Sequence, residues 1–249
     1  MNARLAAIPF LNKRIRFPVT PHIPGGLVTP EQLRQMAAVA EKYGGTLKII
    51  GGSITIMGLS LADGQTALAE LGASPESFIA KSVRSVAMCP GKPHCPMAAQ
   101  DSSALGLTLD SQFFGQDAPA KVRLGVSGCP NCCAEVFIKD IGLFGTAKGF
   151  TLVVGGNAGR QAQIARIVAV DLPPALVPGL VAAILTYYRA RGKEKERLGT
   201  TLDRTGWEPF LAAVIPEQYR ATTDTVISPA ACEKASGAFH LAMKIKQGQ

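Results

Sequence analysis

KVRLGVSGCPNCC, residues 121–133, decides how the rest of the chain is read. Its first part, KVRLGVSG, reads as a strand, with Lys121 and Arg123 on one face because side chains alternate along a strand. Its second part is a loop stiffened by Pro130, in which Cys129, Cys132 and Cys133 fall close together. The same design occurs upstream. SVRSVAM (82–88) reads as a strand and runs into CPGKPHC, which carries Cys89 and Cys95. Only Cys232 of the six cysteines lies apart. Thiols of a cytoplasmic chain stay reduced, so this clustering points to a metal site rather than to disulfides.

The spacings are C-x5-C and C-x3-C, with 33 residues between the pairs. Zinc sites favour shorter gaps, typically C-x2-4-C. An iron–sulfur cubane is larger and suits thiolates carried on longer loops. A structural zinc or a set of inert buried thiols is the competing reading. Gly91 and Gly128 allow close backbone approach, and the N–H groups left between the prolines can point at sulfur. Cys132 lies beside Cys133, so if Cys133 is a ligand the Cys132 side chain is directed elsewhere, as a small packed thiol.

Outward from this core, the N-terminal part has a different pattern. KRIRFPVTPHIPGG (13–26) is extended and ends in a turn. Thr29, Pro30 and Gln32 form a helix start with a capping box, and Leu33, Met36, Ala37, Ala40 and Tyr43 repeat at helical spacing up to Gly44. TLKII (46–50) and SITIMG (53–58) form a hairpin about Gly51-Gly52, and ADGQTALAELG (62–72) is a second helix. The order β-α-β-β-α is that of a ferredoxin-like layer. Beyond residue 82, AAQDSSALGL (98–107) reads as a helix, and DIGLF and FTLVVGG (150–156) as strands. PPALVPGLVAAILTYYRARG (173–192) and KERLGTTLDRTGWEPFLAAV (195–214) each read as one helix. The predicted fold class is α+β, in three parts: 1–78, 79–216 and a weakly patterned tail, 217–249.

Composition narrows the function. The net charge is +8, but the one dense basic run, RARGKEKER (189–197), is interrupted by Glu194 and Glu196, which argues against nucleic acid. LVPGLVAAILTYY (176–188) is shorter than the roughly 20 residues of a membrane span. The N-terminus carries no signal-peptide pattern, so a soluble, cytoplasmic protein without membrane or nucleic-acid partners is expected. No G-x-G-x-x-G follows a predicted strand, so electrons must come from an external donor.

VRSVAMCPGKPHCPMAAQDS (83–102), PAKVRLGVSGCPNCCAE (119–135), DIGLFG (140–145) and LVVGGNAGR (152–160) together resemble the sirohaem-dependent sulfite and nitrite reductase family. IPGGLVTPEQLRQMAAVAEKYGG (23–45) is similar to that family's ferredoxin-like half-domain, and 195–210 to its C-terminal helix. The likeness is greatest to small assimilatory-type sulfite reductases with one half-module instead of two. It implies a ferredoxin-like half-domain followed by an α/β domain binding sirohaem and a 4Fe–4S cluster. Cys89, Cys95, Cys129 and Cys133 would ligate the cluster, and Cys133 would bridge it to the sirohaem iron. Arg84, Lys121 and Arg123 would act on the substrate oxyanion, sulfite or nitrite, with His22 standing where larger members have an anion-binding Arg. Lys48, Gly51, Gly52, Ser53, Asn131, Asn157 and Arg160 would contact the cofactors. His94 is left with a supporting or surface role.

The family's hairpin Arg is missing from LKIIGGSITIMGL (47–59), which leaves a second possibility: an electron-transfer subunit of a larger complex with little turnover of its own. A zinc-stabilised interaction module is a third. The single half-module implies a homodimer or a partner subunit, and the basic charge suits an acidic donor such as a ferredoxin.

Overall fold

In the computed structural model of this chain, residues 17–76 and 81–222 are described. The expected extended residues 13–16, and Cys232 with the tail from 223, lie outside the described residues. The chain divides into two compact units, Met1–Phe78 and Ile79–Gln249.

The first unit contains β1 (Phe17–Val19), α1 (Pro30–Lys42), β2 (Thr46–Ile50), β3 (Ser53–Leu59) and α2 (Leu61–Glu70). Its antiparallel sheet has the order β1-β3-β2. The capping box forms in full. Gln32 N–H donates to Thr29 Oγ1 at 3.1 Å, and Thr29 N–H donates to Gln32 Oε1 at 2.8 Å. Such a cap contributes about 1 kcal/mol. Gly51 and Gly52, at φ 48° and 86°, make the tight turn that pairs Ile50 with Ser53. The buried face of α1 is turned slightly from the expected one. Met36, Val39 and Ala40 are buried, whereas Leu33 is exposed. Val19, Val39, Ala40, Ile56, Leu59 and Ala67 form the centre of this core.

The second unit is built on a sheet ordered β4-β5-β6-β7-β8. Its strands are β4 (Ala87–Met88), β5 (Leu124–Ser127), β6 (Ile141–Thr146), β7 (Gly149–Val154) and β8 (Arg166–Leu172). β4, β5 and β6 are parallel neighbours, and β7 and β8 continue the sheet antiparallel. The helices are α3 (Ser102–Phe113), α4 (Val177–Arg191), α5 (Leu198–Thr205) and α6 (Trp207–Val214). One large core joins Leu124, Val126, Leu143 and Leu152 to Leu109, Ile184, Leu202 and Phe210 from these helices. A smaller core of Val136, Phe144, Val153 and Ala165 gathers the residues of opposite strand parity.

Several elements differ from the sequence reading. The strand expected at 82–88 is reduced to Ala87–Met88, because Val86 N–H is taken by Asp110 Oδ1 at 2.8 Å instead of a neighbouring strand. The helix expected from residue 98 starts at Ser102. Ala99 and Gln100 instead give their N–H groups to Gly128 O, and Asp101 caps by accepting from Ala104 N–H at 2.9 Å. The helix read over 173–192 starts at Val177, after a single turn at Pro174–Leu176. The helix read over 195–214 is two helices, because Gly206 takes φ 94° between α5 and α6. β8, RIVAVDL, is a strand beyond those expected from the sequence and forms the far edge of the sheet. Among the described residues, no helix is long and apolar enough to cross a membrane.

Candidate metal centre

β4 and β5 are adjacent and parallel, with Met88 paired to Val126, so both cysteine loops leave the same end of the sheet. That end, where parallel strands release their loops, is the usual place for a ligand in an α/β layer. Cys89 N–H donates to Val126 O at 3.1 Å and continues the register by one residue. Cys95 N–H then turns back onto Gly91 O at 2.8 Å. The loops are tied to each other directly. Gly128 N–H donates to Cys89 Sγ at 3.1 Å, and Ser102 Oγ lies 3.2 Å from the same sulfur. Gly128 has to be glycine here, since a Cβ would come within 3.0 Å of Ala98 Cβ and 2.9 Å of Gln100 O.

The second loop explains how two adjacent cysteines serve different ends. Cys132 N–H donates to Cys129 O at 3.2 Å, and Cys132 itself takes φ 52°. Its side chain packs on the small core of Val136, Phe144 and Val153, while Cys133 is exposed. The five cysteines among the described residues are free of disulfides.

Cys129 is buried, and that burial is the main cause pushing its thiol up. A backbone hydrogen bond from Asn131 opposes it, and Cys133, Cys89 and Cys95 add further upward pressure. The four thiols are therefore electrostatic neighbours. Among the described residues, no three His, Cys, Asp or Glu side chains close round a point that a single ion could occupy. A polynuclear cluster accepts such a spread, because each thiolate binds a different iron. Amide N–H pointing at Cys89 Sγ also suits a thiolate ligand. The donor set fits a 4Fe–4S cluster. His94 is exposed on the first loop.

A second group lies at the other end of the same strands. Arg84, Lys121 and Arg123 precede β4 and β5, whereas the thiols follow them. Between the two ends runs β5, with a rise of about 3.3 Å per residue. Val122 is buried between exposed Lys121 and Arg123, so these two do share a face. Arg84 is buried. The Lys121 ammonium is pushed down, first by burial and then by Arg123, Arg197 and Arg84, with Asp140 opposing.

Arg197 and Asp140 were missed in the sequence. Arg197 donates to both oxygens of Asp140, at 3.0 and 2.6 Å, and to Asn157 Oδ1 at 2.9 Å. Asp140 is fully buried and also accepts Arg123 N–H at 2.8 Å. Burial pushes its carboxyl up, while Arg197 and that N–H pull it down. Arg197 sits in a run that reads as solvated, and only the fold brings it to Asp140. Asn157 is buried, and its Nδ2 donates to Gln161 O while Gly159 N–H returns to its Oδ1, so it shapes the Gly-rich turn. Arg160 is exposed on that turn.

His22, Lys48, Gly51, Gly52 and Ser53 all belong to the first unit. There the HIPGG segment meets the hairpin turn: a Cβ on Gly26 would approach Gly52 Cα to 2.9 Å. His22 N–H donates to Ser74 O at 2.8 Å, and Lys48, Gly51 and Gly52 are exposed.

Comparison with known proteins agrees with this layout. The Nitrite and sulphite reductase 4Fe-4S domain matches residues 79–222, and the Nitrite/Sulfite reductase ferredoxin-like half domain matches 16–74. The assimilatory-type sulfite reductase of Nitratidesulfovibrio vulgaris is 33% identical over 204 residues, covering 81% of this chain and 94% of that protein. The NAD(P)H nitrite reductase of Emericella nidulans is 36% identical over 182 residues, covering 71% of this chain but 16% of that much longer protein. In fold, dissimilatory sulfite reductase I superposes with a TM-score of 0.70 at 16% identity, over 86% of this chain and 72% of that one. The Mycobacterium tuberculosis NirA protein also gives 0.70, at 19% identity, over 78% and 39%. The chain belongs to the nitrite and sulphite reductase family, oxidoreductases that work with sirohaem and a 4Fe–4S cluster.

Proposed function

We propose that this chain reduces sulfite to sulfide, a six-electron reaction, with nitrite to ammonia as the variant of the same site. The carrying observation is that the two cysteine loops leave the same end of adjacent parallel strands and are tied together by the Gly128 N–H donated to Cys89 Sγ. The near-complete coverage of an assimilatory-type sulfite reductase, against a small part of the nitrite reductases, favours sulfite.

Cys89, Cys95, Cys129 and Cys133 would hold the cluster, and the exposed Cys133 would be the thiolate on the sirohaem side. When bound, the cofactors would supply the electron relay and the redox chemistry at the oxyanion. The protein binds, orients and protonates. Lys121 and Arg123 are exposed cations on one face, suited to an oxyanion or to sirohaem carboxylates. Lys121, whose ammonium is held below its ordinary value, gives up a proton more readily than a solvated lysine. Arg84 adds charge from a buried position. In the first unit, His22, Lys48 and the Gly51-Gly52-Ser53 turn contribute anion contacts. Asn131 lies within the second cysteine loop, while Arg160 is carried on the Gly-rich turn at the cation end, which Asn157 holds in shape.

A domain boundary near residue 78, a cytoplasmic location that keeps the thiols reduced, and an external acidic donor such as a ferredoxin complete the proposal. A second copy or a partner subunit covers the edge strand β2, whose Ile49 and Ile50 are 76% and 53% exposed. Sedimentation of the holoprotein as a strict monomer contradicts that last point.

Protein purified without oxygen and loaded with both cofactors is to be assayed with reduced viologen and either sulfite or nitrite. Turnover of sulfite at the higher kcat/KM supports the proposal. Full loading without turnover of either anion supports the electron-transfer subunit instead.

A further inference from the structure

Ser102 occupies the first helical position of α3, is fully buried, and has both of its hydrogen-bond partners on one residue, Cys89. Its Oγ lies 3.0 Å from Cys89 O, to which it donates, and 3.2 Å from Cys89 Sγ. A hydroxyl has one proton and can donate to only one of these acceptors at a time. The rest of the pocket holds the oxygen in place. Gly91, at φ 58°, lies directly over it, and any Cβ there would collide with Ser102 Oγ. The sulfur already receives one fixed donor, Gly128 N–H at 3.1 Å. The N-terminus of the twelve-residue α3 adds a positive partial charge on the same side.

We propose that Ser102 is a redox-responsive hydrogen-bond donor to the Cys89 thiolate, turning its proton from the Cys89 carbonyl to the Cys89 sulfur when the cluster gains an electron, and thereby raising the cluster's midpoint potential. This rests on the reading of Cys89 as a cluster ligand. One electron enters the cluster from an external low-potential reductant. No bond forms or breaks, the proton stays on Ser102 Oγ, and only the acceptor changes. Carbonyl and thiolate compete for this proton. The added negative charge on reduction is shared by the cluster and its thiolates, which favours the sulfur. A donor that binds the reduced state more strongly raises the potential. Gly128 N–H cannot respond in this way, since its direction is fixed by the backbone.

The test uses anaerobic holoprotein and follows the reduced cluster by EPR during a redox titration. Ser102→Ala is expected to keep its iron and acid-labile sulfide but to shift to a lower potential, towards the 59 mV that corresponds to a tenfold change in a one-electron equilibrium. Ser102→Thr, which keeps the hydroxyl, restores most of the shift. Ser103→Ala shifts nothing, because the Ser103 hydroxyl donates to Pro90 O, at 2.7 Å, and not to sulfur. After exchange into heavy water, the reduced wild type shows a deuteron coupling that Ser102→Ala lacks. A fully loaded Ser102→Ala protein with unchanged potential and coupling overturns the proposal while leaving the cluster reading intact. Wild-type protein without iron or sulfide overturns both. Should Ser102→Ala fail to retain the cluster, the wild type decides: it must show a hydroxyl coupling beside the amide one, and an amide coupling alone contradicts the proposal.

Discussion

The two ends of the β4–β5 pair are built in different ways. At the end where the chain leaves the strands, the four thiols come from two short loops held by local bonds, Cys95 N–H to Gly91 O and Cys132 N–H to Cys129 O. At the end where the chain enters them, Arg84, Lys121, Arg123, Asp140 and Arg197 come from distant parts of the chain and meet only in the fold. The thiol end places soft donors for a metal. The cation end places positive charge around one fully buried carboxylate. The contrast sets a loop-built group of soft donors at one end of the strands against a fold-built group of cations at the other, with a hydrogen-bonded ladder between them.

The sharpest way to break this comparison is at the thiol end. Cys133→Ser is expected to abolish turnover, remove the coupling between cluster and sirohaem, and deplete iron, as read by visible absorption and metal analysis. Full retention of both cofactors would show that Cys133 is not a ligand. Next is the carboxylate that organises the cation end. Asp140→Asn leaves the Arg197 guanidinium largely buried beside a neutral partner, and breaking such a pair costs about 3–5 kcal/mol. The expected readout is a marked fall in thermal midpoint, together with lost activity.

A smaller effect is expected at the exposed cations Lys121 and Arg123. Lys121→Ala and Arg123→Ala are each expected to lower kcat by about 10²–10³-fold, with the cluster signal unchanged. An equal loss of cluster would mean that the two ends are not separable. The smallest effect concerns acid stability. Arg204 first, then Lys193 N–H and the Thr201 hydroxyl, hold the Glu196 carboxyl at about 2 against an ordinary 4.5, with burial opposing. A depressed carboxyl stabilises the fold above its ordinary value, and this contribution fades as pH falls from about 4.5 towards 2. Glu196→Gln should flatten that part of a stability-against-pH curve; a curve identical to wild type would assign the acid sensitivity elsewhere.

The difference between the ends also explains what could be read in advance. The thiol loops, the Thr29–Gln32 capping box and the Gly51-Gly52 turn are short-range features, and the residues that form them lie within a few positions of one another. Cys132 could be set aside because neighbouring side chains diverge, and its φ of 52° supplies the geometry. The Arg197–Asp140 pair could not be found in this way. Arg197 ends a mixed-charge run and Asp140 precedes an ordinary strand, so neither carries a local signal. β8 follows the Gly-rich turn but is separated from it by residues 161–165, and its antiparallel pairing with β7 is what makes it a strand. The single helix expected over 195–214 passed over a local signal, Gly206 with φ 94° followed by Pro209, which cannot sit inside a continuous helix.

The central claim is that Cys89, Cys95, Cys129 and Cys133 grip one cubane joined to one sirohaem. Iron and acid-labile sulfide, counted in protein purified without oxygen, test it most directly. The account predicts about five irons and four sulfides per chain, four of the irons in the cluster and one in the sirohaem. Stoichiometric zinc, or iron without labile sulfide, would contradict it.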